Sequence, residues 1–501
     1  MQQSAKIEFS NCSKLATNEG SLADYENSIK ALNSLQSNAQ YLKVAQKQRL
    51  SHSEEYYKSI VQTQKFLIRS EVTLEMLDTL PVIHVTGTKG KGTTCAMSES
   101  ILRHYGLKTG FYSSPHLVEV RERIRINGEP LDKATFSKHF WQVYNKLEKE
   151  KAFSHDMPMY FQFLTILAFK VFLIEKVDVA IIEVGIGGEY DSTNILRNVP
   201  VAGITSLGLD HTTMLGNTLE NIAWHKSGIM KPNSHVFTVS QTCSVLKVLT
   251  DRSIEKQVSR TFTTQLNSNC TFQSSLTVVK PYKNLTIPKT IHQPVHVYEL
   301  NLSLALAVCE AWMKMTKWPN FHSVKFIDSD LTKLAVEKCK WPGRYQILRR
   351  FNNQFYLDGA HTFESLQICV EWFKNATSNS SQSKVLIFNV SGERDSKMLI
   401  AQLQQCNFEK VYFVPNKATP MQIEDHVNYN TMDNQQMAKC YLHSKSWREL
   451  EPVTAKTRIK VLPTVVEALQ DCESESYNIL ITGSLHLVGI ALSLLDPNLT
   501  S

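Results

Sequence analysis

The stretch PVIHVTGTKGKGTT, residues 81–94, joins a short apolar run to a loop rich in glycine. The apolar run predicts a buried strand, and the residues from Gly92 onward predict a helix that ends at Gly106. A glycine-rich loop that opens a helix presents backbone N–H groups to which phosphate oxygens bind. The order of strand, loop and helix therefore indicates an α/β fold with a phosphate-binding site.

The loop departs at two positions from the standard phosphate-loop pattern G-x-x-x-x-G-K-[ST]. Val85 stands where the pattern has its first glycine, and Gly92 follows Lys91 where the pattern has serine or threonine. Lys91 is nevertheless placed to meet the β- and γ-phosphates, and Thr93 brings a hydroxyl within reach of phosphate or metal. Three interpretations stay open here: a damaged nucleotide site, a different phosphate loop, and an ordinary strand–helix turn.

Strands and helices alternate along the rest of the chain. The runs VDVAIIEVG and VAGITSLG predict buried parallel strands, and QFYLDGAH, KVLIFNVSG and YNILITGSLH predict a second series. This alternation predicts two α/β domains, each with a largely parallel sheet flanked by helices. We expect the domains to span residues 1–338 and 339–501, with a flexible segment at residues 1–23.

Smaller features refine this organisation. Asn127-Gly128 predicts a hairpin or tight loop that leaves the first sheet. Residues 256–297 are expected to form a loop-rich β excursion. The Trp-Pro punctuation within residues 316–343 suits a linker between the domains.

The composition limits the class of protein. The 501 residues are 42% hydrophobic and 20% charged, and the net charge of +7 comes from 54 basic and 47 acidic side chains. This mild excess fits an anionic substrate and lacks the clustered basic face typical of nucleic-acid binding. The ten cysteines show no C-x-x-C spacing and indicate reduced, intracellular thiols. We expect residues 160–176 to form a buried helix, no transmembrane segment, and no secretion signal.

Polar residues follow the predicted strands at their carboxyl ends, where open parallel sheets bind ligands. A carboxylate that faces a phosphate is the expected Mg²⁺ ligand, whereas an imidazole ligand is unusual because Mg²⁺ prefers oxygen. A single histidine at such a position is more often a core or capping residue. The strand-end residues are the loop 87–93, Ser113, Ser114, Glu183, Asp210, His211, Asp358, His361 and Arg394.

Seven segments, in one order from about residue 24 to residue 494, carry a resemblance to a known family. They are HVTGTKGKGTT, YSSPHLVEVRERIRINGEPL, EVGIGGEYDSTN, SLGLDHTTMLGNTLENIAWHKSGIMK, WPGRYQ, LDGAH and TGSLHLVG. Together they resemble the folylpolyglutamate synthases of the Mur ligase superfamily, and the region near the start resembles the eukaryotic members. The loop matches that family's shorter pattern G-T-x-G-K-G-[ST], which favours the interpretation as a different phosphate loop.

The resemblance implies a Mur-ligase-like ATPase domain with a phosphate loop, which binds ATP and folate, followed by a smaller Rossmann-like domain. It implies that ATP converts a folate γ-carboxylate to an acyl phosphate, which the amine of L-glutamate then attacks. Implied nucleotide contacts are Gly87, Thr88, Gly90, Lys91, Gly92, Thr93, Asn301, Arg344 and Asp358. Implied Mg²⁺ ligands are Thr93, Ser114, Glu183, His211 and Lys226, the last as a carbamate. Implied catalytic residues are Lys91, Lys226 and His361.

One implied contact departs from the family pattern. Relatives tend to have H-Q-x-x-N before a helix that the asparagine starts near the adenine, whereas here Val297 to Leu300 precede Asn301 and His296 is one place off. The expected adenine contact at Asn301 is therefore the one contact of the set whose flanking residues differ from the family pattern.

Arginines are the candidate residues for contact with the folate. The folate is expected between the domains, along the loop after Ser114, where Arg121, Arg123 and Arg125 would share one face of an alternating segment. A solvated strand face is an equal alternative. Arg394 either contacts substrate or pairs with Asp395.

The expected function is ATP-dependent ligation of glutamate to folates, in one-carbon metabolism. Two alternatives stay open: a dihydrofolate synthase or bifunctional form, and an inactive nucleotide-binding scaffold. The expected ligands are ATP, Mg²⁺, folate and L-glutamate, with K⁺ as a further monovalent cation. We expect a monomer in the cytoplasm that binds no nucleic acid, with the mitochondrial matrix as the alternative compartment.

Overall fold

The structure is a computed structural model that describes most of the chain. The described residues are 19–36, 53–153, 156–258, 276–282, 292–319, 326–390, 396–419, 433–452 and 456–499. Of the segment expected to be flexible, residues 1–18 lie outside this set, and the first helix begins at Glu19.

Eight strands form the first sheet. They are β1 (Val82–Thr86), β2 (Thr109–Tyr112), β3 (Ile124–Ile126), β4 (Glu129–Pro130), β5 (Val179–Glu183), β6 (Val201–Ile204), β7 (His235–Thr238) and β8 (Leu276–Val278), in the spatial order β4-β3-β2-β5-β1-β6-β7-β8. From β2 to β8 the neighbours run parallel. Strands β1, β5 and β6 are buried throughout, as expected for a parallel sheet covered on both faces.

Helices cover both faces of this sheet. They are α1 (Glu19–Ser34), α2 (Ser53–Arg69), α3 (Leu74–Asp78), α4 (Lys91–His104), α5 (Lys133–Lys149), α6 (Tyr160–Glu175), α7 (Thr212–Leu215), α8 (Leu219–Lys226), α9 (Cys243–Glu255), α10 (Val295–Met315) and α11 (Asp330–Glu337). Side chains alternate across β5, so Ile182 joins the core with α6 while Ile181 joins the core with α4 and α10. The expected buried helix is α6, which packs in the first of these cores.

Six strands form the second sheet. They are β9 (Gln346–Arg350), β10 (Asn353–Asp358), β11 (Ser383–Phe388), β12 (Lys410–Phe413), β13 (Arg458–Val461) and β14 (Tyr477–Thr482), in the order β13-β12-β11-β14-β10-β9. Only the β9–β10 pair is antiparallel. Its helices are α12 (Phe363–Ala376), α13 (Ser396–Leu403), α14 (Asp433–Leu450), α15 (Val465–Gln470) and α16 (Leu485–Leu495). The predicted fold class, two largely parallel sheets flanked by helices, is confirmed.

The predicted hairpin exists, but the expectation that it leaves the sheet is wrong. Asn127 and Gly128 both have positive φ, at 50° and 83°, and join β3 to β4. Such a turn matches the twist of the two strands it connects. Strand β3 pairs antiparallel with β2, with Tyr112 opposite Ile124, so the hairpin extends the sheet edge. Backbone groups that would otherwise be unpaired at the edge of β2 are thereby hydrogen-bonded.

Two further expectations need correction. The helix predicted to start at Asn301 begins at Val295, so Asn301 lies in its second turn. The segment expected to be a linker contains α11, whose Ala335 and Val336 are buried in the core of the first sheet together with α4. The burial of apolar side chains has favoured a helix there, although the Trp-Pro pairs on either side indicated a linker. The domain boundary at residues 338 and 339 stays a prediction. Of the expected β excursion, β8 is described, while residues 259–275 and 283–291 lie outside the described set.

Neither a membrane-spanning helix nor a disulfide is found in the described part of the chain. Within these ranges, every helix is too short or too polar to cross a bilayer. The eight cysteines that the structure describes are free thiols, in agreement with the spacing argument.

Candidate active site

The site lies at the carboxyl edges of both sheets. Register places Val85 beside Glu183 and Thr86 beside Ile204, so the loops after β1, β5 and β6 leave the first sheet at one edge. In the second sheet, Asp358 ends β10. These loops line one cleft of about 860 Å³ together with residues of the second domain such as Arg344. Of the strand-end residues expected to converge, those that line the cleft are residues 88–93, Ser114, Glu183, Asp210, His211, Asp358 and His361. Gly87 and Ser113 do not line it, and Arg394 lies outside the described residues.

The phosphate loop needs glycine where it turns. Gly90 has φ 90° and directly precedes α4, and a Cβ there would lie 2.1 Å from the side-chain oxygen of Asn301. A left-handed residue packed this closely favours glycine for both conformation and space. No side chain caps the first turn of α4, whose N–H groups open towards the cleft. This arrangement is suited to binding a phosphate.

The side-chain nitrogens of two lysines lie against a single backbone oxygen behind this loop. The Nζ of Lys91 is 3.1 Å from the carbonyl oxygen of Gly87, and the Nζ of Lys226 is 2.8 Å from the same atom. Lys226 is only 4% exposed, and this burial, reinforced by the charge of Lys91, holds its pKa well below the usual range. The neutral amine of Lys226 is therefore favoured, as expected for a desolvated lysine.

Oxygen donors predicted to bind Mg²⁺ face the cleft. Thr93, Ser114 and Glu183 all line it, and the backbone N–H of Ser114 donates to Glu183 Oε2 at 3.2 Å. Burial raises the pKa of Glu183, whereas the charges of Lys91 and Arg344 lower it. Burial is the larger effect, so the pKa of Glu183 is raised overall, and a bound cation would favour the ionised carboxylate that a hard metal ion requires.

His211 is placed differently from these donors. It is exposed at the mouth of the cleft, with φ 51°, and directly precedes α7. A left-handed backbone is uncommon for a residue other than glycine. Over the described ranges, no group of three or more His, Cys, Asp or Glu side chains is arranged as a metal site. The ligand set of His211, Thr93, Ser114, Glu183 and carbamylated Lys226 stays a prediction.

Asp358 organises the second domain's side of the cleft. Its carboxylate accepts hydrogen bonds from the backbone N–H groups of Tyr345 at 3.1 Å and Ala360 at 2.9 Å. Burial raises its pKa, and the neighbouring charge of Arg344 lowers it. The carboxylate thus fixes the backbone next to Arg344 and next to His361, the two second-domain residues predicted to act on the substrates. Asn301, predicted to contact adenine, packs against Gly90 instead of starting a helix.

Sequence reasoning missed Lys89, which occupies the variable position of the loop pattern. Its Nζ lies 3.1 Å from Nε2 of His361 and 3.5 Å from Oδ2 of Asp210, and that carboxylate oxygen is 3.4 Å from the same imidazole nitrogen. Burial alone would raise the pKa of Asp210, but its hydrogen bond with His361 and the charge of Lys89 hold it well below the usual range. The sequence feature that could have revealed Lys89 is the presence of a second lysine, besides Lys91, in so short a loop.

A second missed residue, Asp191, is buried and lines the cleft. Its carboxylate accepts from the backbone N–H of Ile186 at 2.9 Å and from the hydroxyl of Thr193 at 2.6 Å. The Thr193 hydroxyl in turn lies 2.9 Å from Nε2 of His84 in β1. Asp191 therefore shapes the glycine-rich loop after β5. The sequence feature that could have revealed Asp191 is a second carboxylate two residues after Glu189, within the glycine-rich segment EVGIGGEYDSTN.

The three arginines of the RERIR segment do not share a strand face, so that expectation is wrong. Arg121 and Arg123 belong to a 3₁₀ helix, Val120–Arg123, and only Arg125 lies in β3. The helical turn breaks the alternation, and of the three only Arg123 lines the cleft. Arg394 and Asp395 lie outside the described residues, so both interpretations of Arg394 stay open.

Relatives of known name cover nearly the whole chain. It is 37% identical over 564 residues to the Bos taurus protein named "Folylpolyglutamate synthase, mitochondrial", with 95% of this chain and 93% of that protein aligned. The Homo sapiens protein of the same name is 37% identical over 560 residues, with 95% and 92% aligned. "Folylpolyglutamate synthase" of Neurospora crassa is 34% identical over 517 residues, with 96% and 93% aligned. No family model matches the sequence.

Solved structures show the same fold at lower identity. Mycobacterium tuberculosis folylpolyglutamate synthase complexed with ADP superposes with a TM-score of 0.69 at 20% identity, over 95% of this chain and 99% of that one. The apo form of the L. casei enzyme gives 0.66 at 22% identity, over 94% and 99%. With a shared fold and relatives above 30% identity over almost the full length, this chain belongs to the folylpolyglutamate synthase family.

Proposed function

We propose that this protein is an ATP-dependent ligase that joins L-glutamate to the γ-carboxylate of tetrahydrofolate and its polyglutamates. One observation carries the proposal: the phosphate loop with Lys91 and the second-domain pair Arg344 and Asp358 line the same cleft. A nucleotide held by the loop would thus have its reacting phosphate beside both domains. The family's relatives carry the name of this activity.

The chemistry requires activation because a carboxylate is a poor electrophile. The γ-phosphoryl group of ATP moves to a carboxylate oxygen of the folate, which leaves ADP and an acyl phosphate. The neutral amine of glutamate attacks the carbonyl carbon, a C–N bond forms, the C–O bond to phosphate breaks, and phosphate leaves. The amine gives up its proton to solvent. The protein's contribution is mainly to position three anions and offset their repulsion.

The cations of the cleft suit this task. Lys91 is the first residue of α4, where uncapped helix N–H groups would also face the phosphates of a bound nucleotide. Arg344 approaches from the second domain, beside Gly359 and Asp358. Fixed positive groups aimed at the transferring phosphoryl group stabilise its charge in the transition state without reorganising. His361 contacts Lys89 of the phosphate loop and is therefore placed to contact glutamate or the transferred phosphate.

The donor set fits a magnesium ion, since hydroxyl and carboxylate oxygens are its preferred protein ligands. Thr93, Ser114 and Glu183 would hold it, with His211 at the mouth of the cleft. When bound, Mg²⁺ offsets the charge of the phosphates and of the folate carboxylate. A requirement for K⁺ is a separate proposal, which the rate in potassium against sodium buffers would test.

Lys226, as a carbamate, completes the proposed set of magnesium ligands. A carbamate forms from a neutral amine and CO₂, and burial favours the neutral form of Lys226. The modification replaces this buried neutral amine with an anion beside the ammonium group of Lys91. This change would pair an anion with Lys91, whose side-chain nitrogen and that of Lys226 both contact the Gly87 carbonyl oxygen.

The protein's setting is also part of the proposal. Two of the mammalian relatives are named as mitochondrial, so the matrix is a candidate compartment beside the cytoplasm. We propose a monomer that binds ATP, folate and glutamate and no nucleic acid, which sedimentation would test.

A direct assay separates the proposed function from its alternatives. Purified protein is incubated with ATP, Mg²⁺ and glutamate, and with either tetrahydrofolate or dihydropteroate as acceptor. ADP release and a ligated product with tetrahydrofolate, lost in Lys91→Ala, support the proposal. Robust turnover of dihydropteroate would instead make it a dihydrofolate or bifunctional synthase. Nucleotide binding without any ligated product would identify an inactive scaffold.

A further inference from the structure

The RERIR segment contains three arginines in different environments, and two of them are satisfied by the protein itself. Arg121 donates from Nε to Glu119 at 2.6 Å and from a terminal nitrogen to the carbonyl oxygen of Leu131 at 2.9 Å. Arg125 donates from Nε to the carbonyl oxygen of Glu122 at 3.1 Å, and its guanidinium lies 5.5 Å from the ring of Trp341. Both side chains therefore have structural roles on the first domain.

Arg123 differs from its neighbours. Its side chain is buried, with 7% of the residue exposed, yet the part left accessible lines the cleft. Its Nε donates to Nδ1 of His116 at 2.9 Å, and its guanidinium carbon lies 5.4 Å from the ring of Tyr160. Among the described residues, no carboxylate lies within ion-pair distance of this guanidinium, and its terminal nitrogens make no hydrogen bond.

A buried guanidinium without a carboxylate partner is costly, and this cost is offset when a ligand supplies the anion. The planar group presents two terminal N–H donor pairs, which match a carboxylate in a bidentate arrangement. The Nε contact and the nearby Tyr160 ring restrain the guanidinium, and Arg123 lines the cleft, so its terminal donors are available to a ligand there. The arrangement is thus built for a carboxylate.

The location indicates which carboxylate. The backbone N–H of Ser113 donates to the carbonyl oxygen of Arg123 at 3.1 Å, and the next residue, Ser114, donates to Glu183, so Arg123 lies at the proposed magnesium end of the cleft. Phe161 and Pro115 line the cleft there, and the ring of Phe161 packs against Gly185. A cation beside aromatic surface suits an acceptor with an aromatic body and a carboxylate tail better than free glutamate, which is small and polar.

We propose that Arg123 binds the α-carboxylate of the terminal glutamyl residue of the folate acceptor and so directs the γ-carboxylate towards the phosphoryl group. This inference rests on the proposed function and names a binding residue within it. In the terminal glutamyl residue, the α-carbon and two methylene groups separate the two carboxylates, so anchoring the α group restricts the reach of the γ group. A pteroate acceptor lacks the α-carboxylate and cannot use this contact.

The test compares two acceptors in three proteins. Wild type, Arg123→Gln and the matched control Arg121→Gln are assayed with tetrahydrofolate and with its α-carboxamide, which keeps the reacting γ-carboxylate. We expect wild type to prefer the acid over the amide by about 100-fold in kcat/KM, the effect of removing one partner of a desolvated charge pair. Arg123→Gln should lose about 100-fold with the acid and little with the amide, which abolishes the preference. Arg121→Gln should keep it.

Two results would overturn the inference. Equal losses with acid and amide in Arg123→Gln would assign the arginine to folding or to the reacting γ group. Loss of discrimination between L-glutamate and its α-amide, with folate kinetics unchanged, would give the site to the incoming amino acid. Arg123→Lys, which keeps the positive charge, is a further variant. Thermal melting and ADP binding establish that each variant is folded. Absence of any ligation by the wild type would contradict the proposed function itself, independently of Arg123.

Discussion

The Nζ of Lys89 lies 3.1 Å from Nε2 of His361, so the phosphate loop of the first domain contacts the second domain directly. The other ring nitrogen, Nδ1, lies 2.6 Å from the carbonyl oxygen of Gly359 and therefore donates its proton there. With Nδ1 protonated, Nε2 accepts a hydrogen bond from Lys89 while the ring is neutral and donates to Asp210 when the ring is charged. The Gly359 carbonyl oxygen thus sets the tautomer, Lys89 helps to orient the imidazole, and Asp210 balances the charge.

This relationship predicts coupling between the two side chains. Lys89→Met should reduce the rate of ligation because His361 loses the donor that orients it, while binding of ADP should persist. In a double-mutant cycle with His361→Ala, we expect a coupling free energy of about 1 to 2 kcal/mol, as is typical for contacting groups in one network. The steady-state kcat and the KM for glutamate of all four proteins give this value. Additive losses would show that the contact has no role in turnover.

Lys91 has the most direct predicted effect on catalysis. Lys91→Ala removes a cation aimed at the phosphates, and we expect kcat/KM for ATP to fall about 100- to 1,000-fold, as when one stabilising donor is removed from a preorganised site. Lys146→Ala is a suitable control, because that lysine pairs with Glu71 on the surface of the first domain. The measurement is ADP release at varied ATP concentration. An unchanged kcat/KM in Lys91→Ala would refute its role in phosphate binding.

Lys226 provides a test that depends on CO₂. Because burial favours its neutral amine, bicarbonate should add the mass of a carbamate to the native protein, and depletion of CO₂ should lower activity. Lys226→Ala should be inactive and should regain part of its activity with bicarbonate or a short carboxylic acid. Native mass spectrometry and ADP release measure both effects. Full activity of Lys226→Ala without any additive is the contrary outcome.

His84 predicts how stability depends on pH. Burial in β1 lowers its pKa from the ordinary 6.5 to about 3, so the folded protein keeps a neutral ring where the unfolded chain binds a proton. The unfolded state then binds more protons, and folding loses about 1.4 kcal/mol per pH unit as pH falls from 6.5 towards 3. We expect His84→Gln to lack this contribution. Urea unfolding at pH 7, 6 and 5 checks it, and equal pH slopes for both proteins would contradict it.

Particular residues show how far the sequence leads. The strands that carry Glu183 and Asp358, and the turn at Gly90, follow from local patterns, because β-branched runs and glycine act over a few residues. The hairpin at Asn127 was predicted, but its attachment to the edge of β2 was not, since pairing depends on a partner strand elsewhere in the chain. Helix α11 was not predicted, because the Trp-Pro pairs on either side of it indicated a linker. Its burial against α4 depends on residues far away in the sequence.

The sequence by itself determined the two α/β series, the phosphate loop and the strand ends from which the site is built. Only the tertiary structure decided that Lys89 contacts His361, that two lysines share one carbonyl oxygen, and that Arg123 lines the cleft while Arg121 does not. The physical reason is that periodicity and turn chemistry act between near neighbours in the chain. Distances, burial and charge between remote side chains exist only once both sheets are packed.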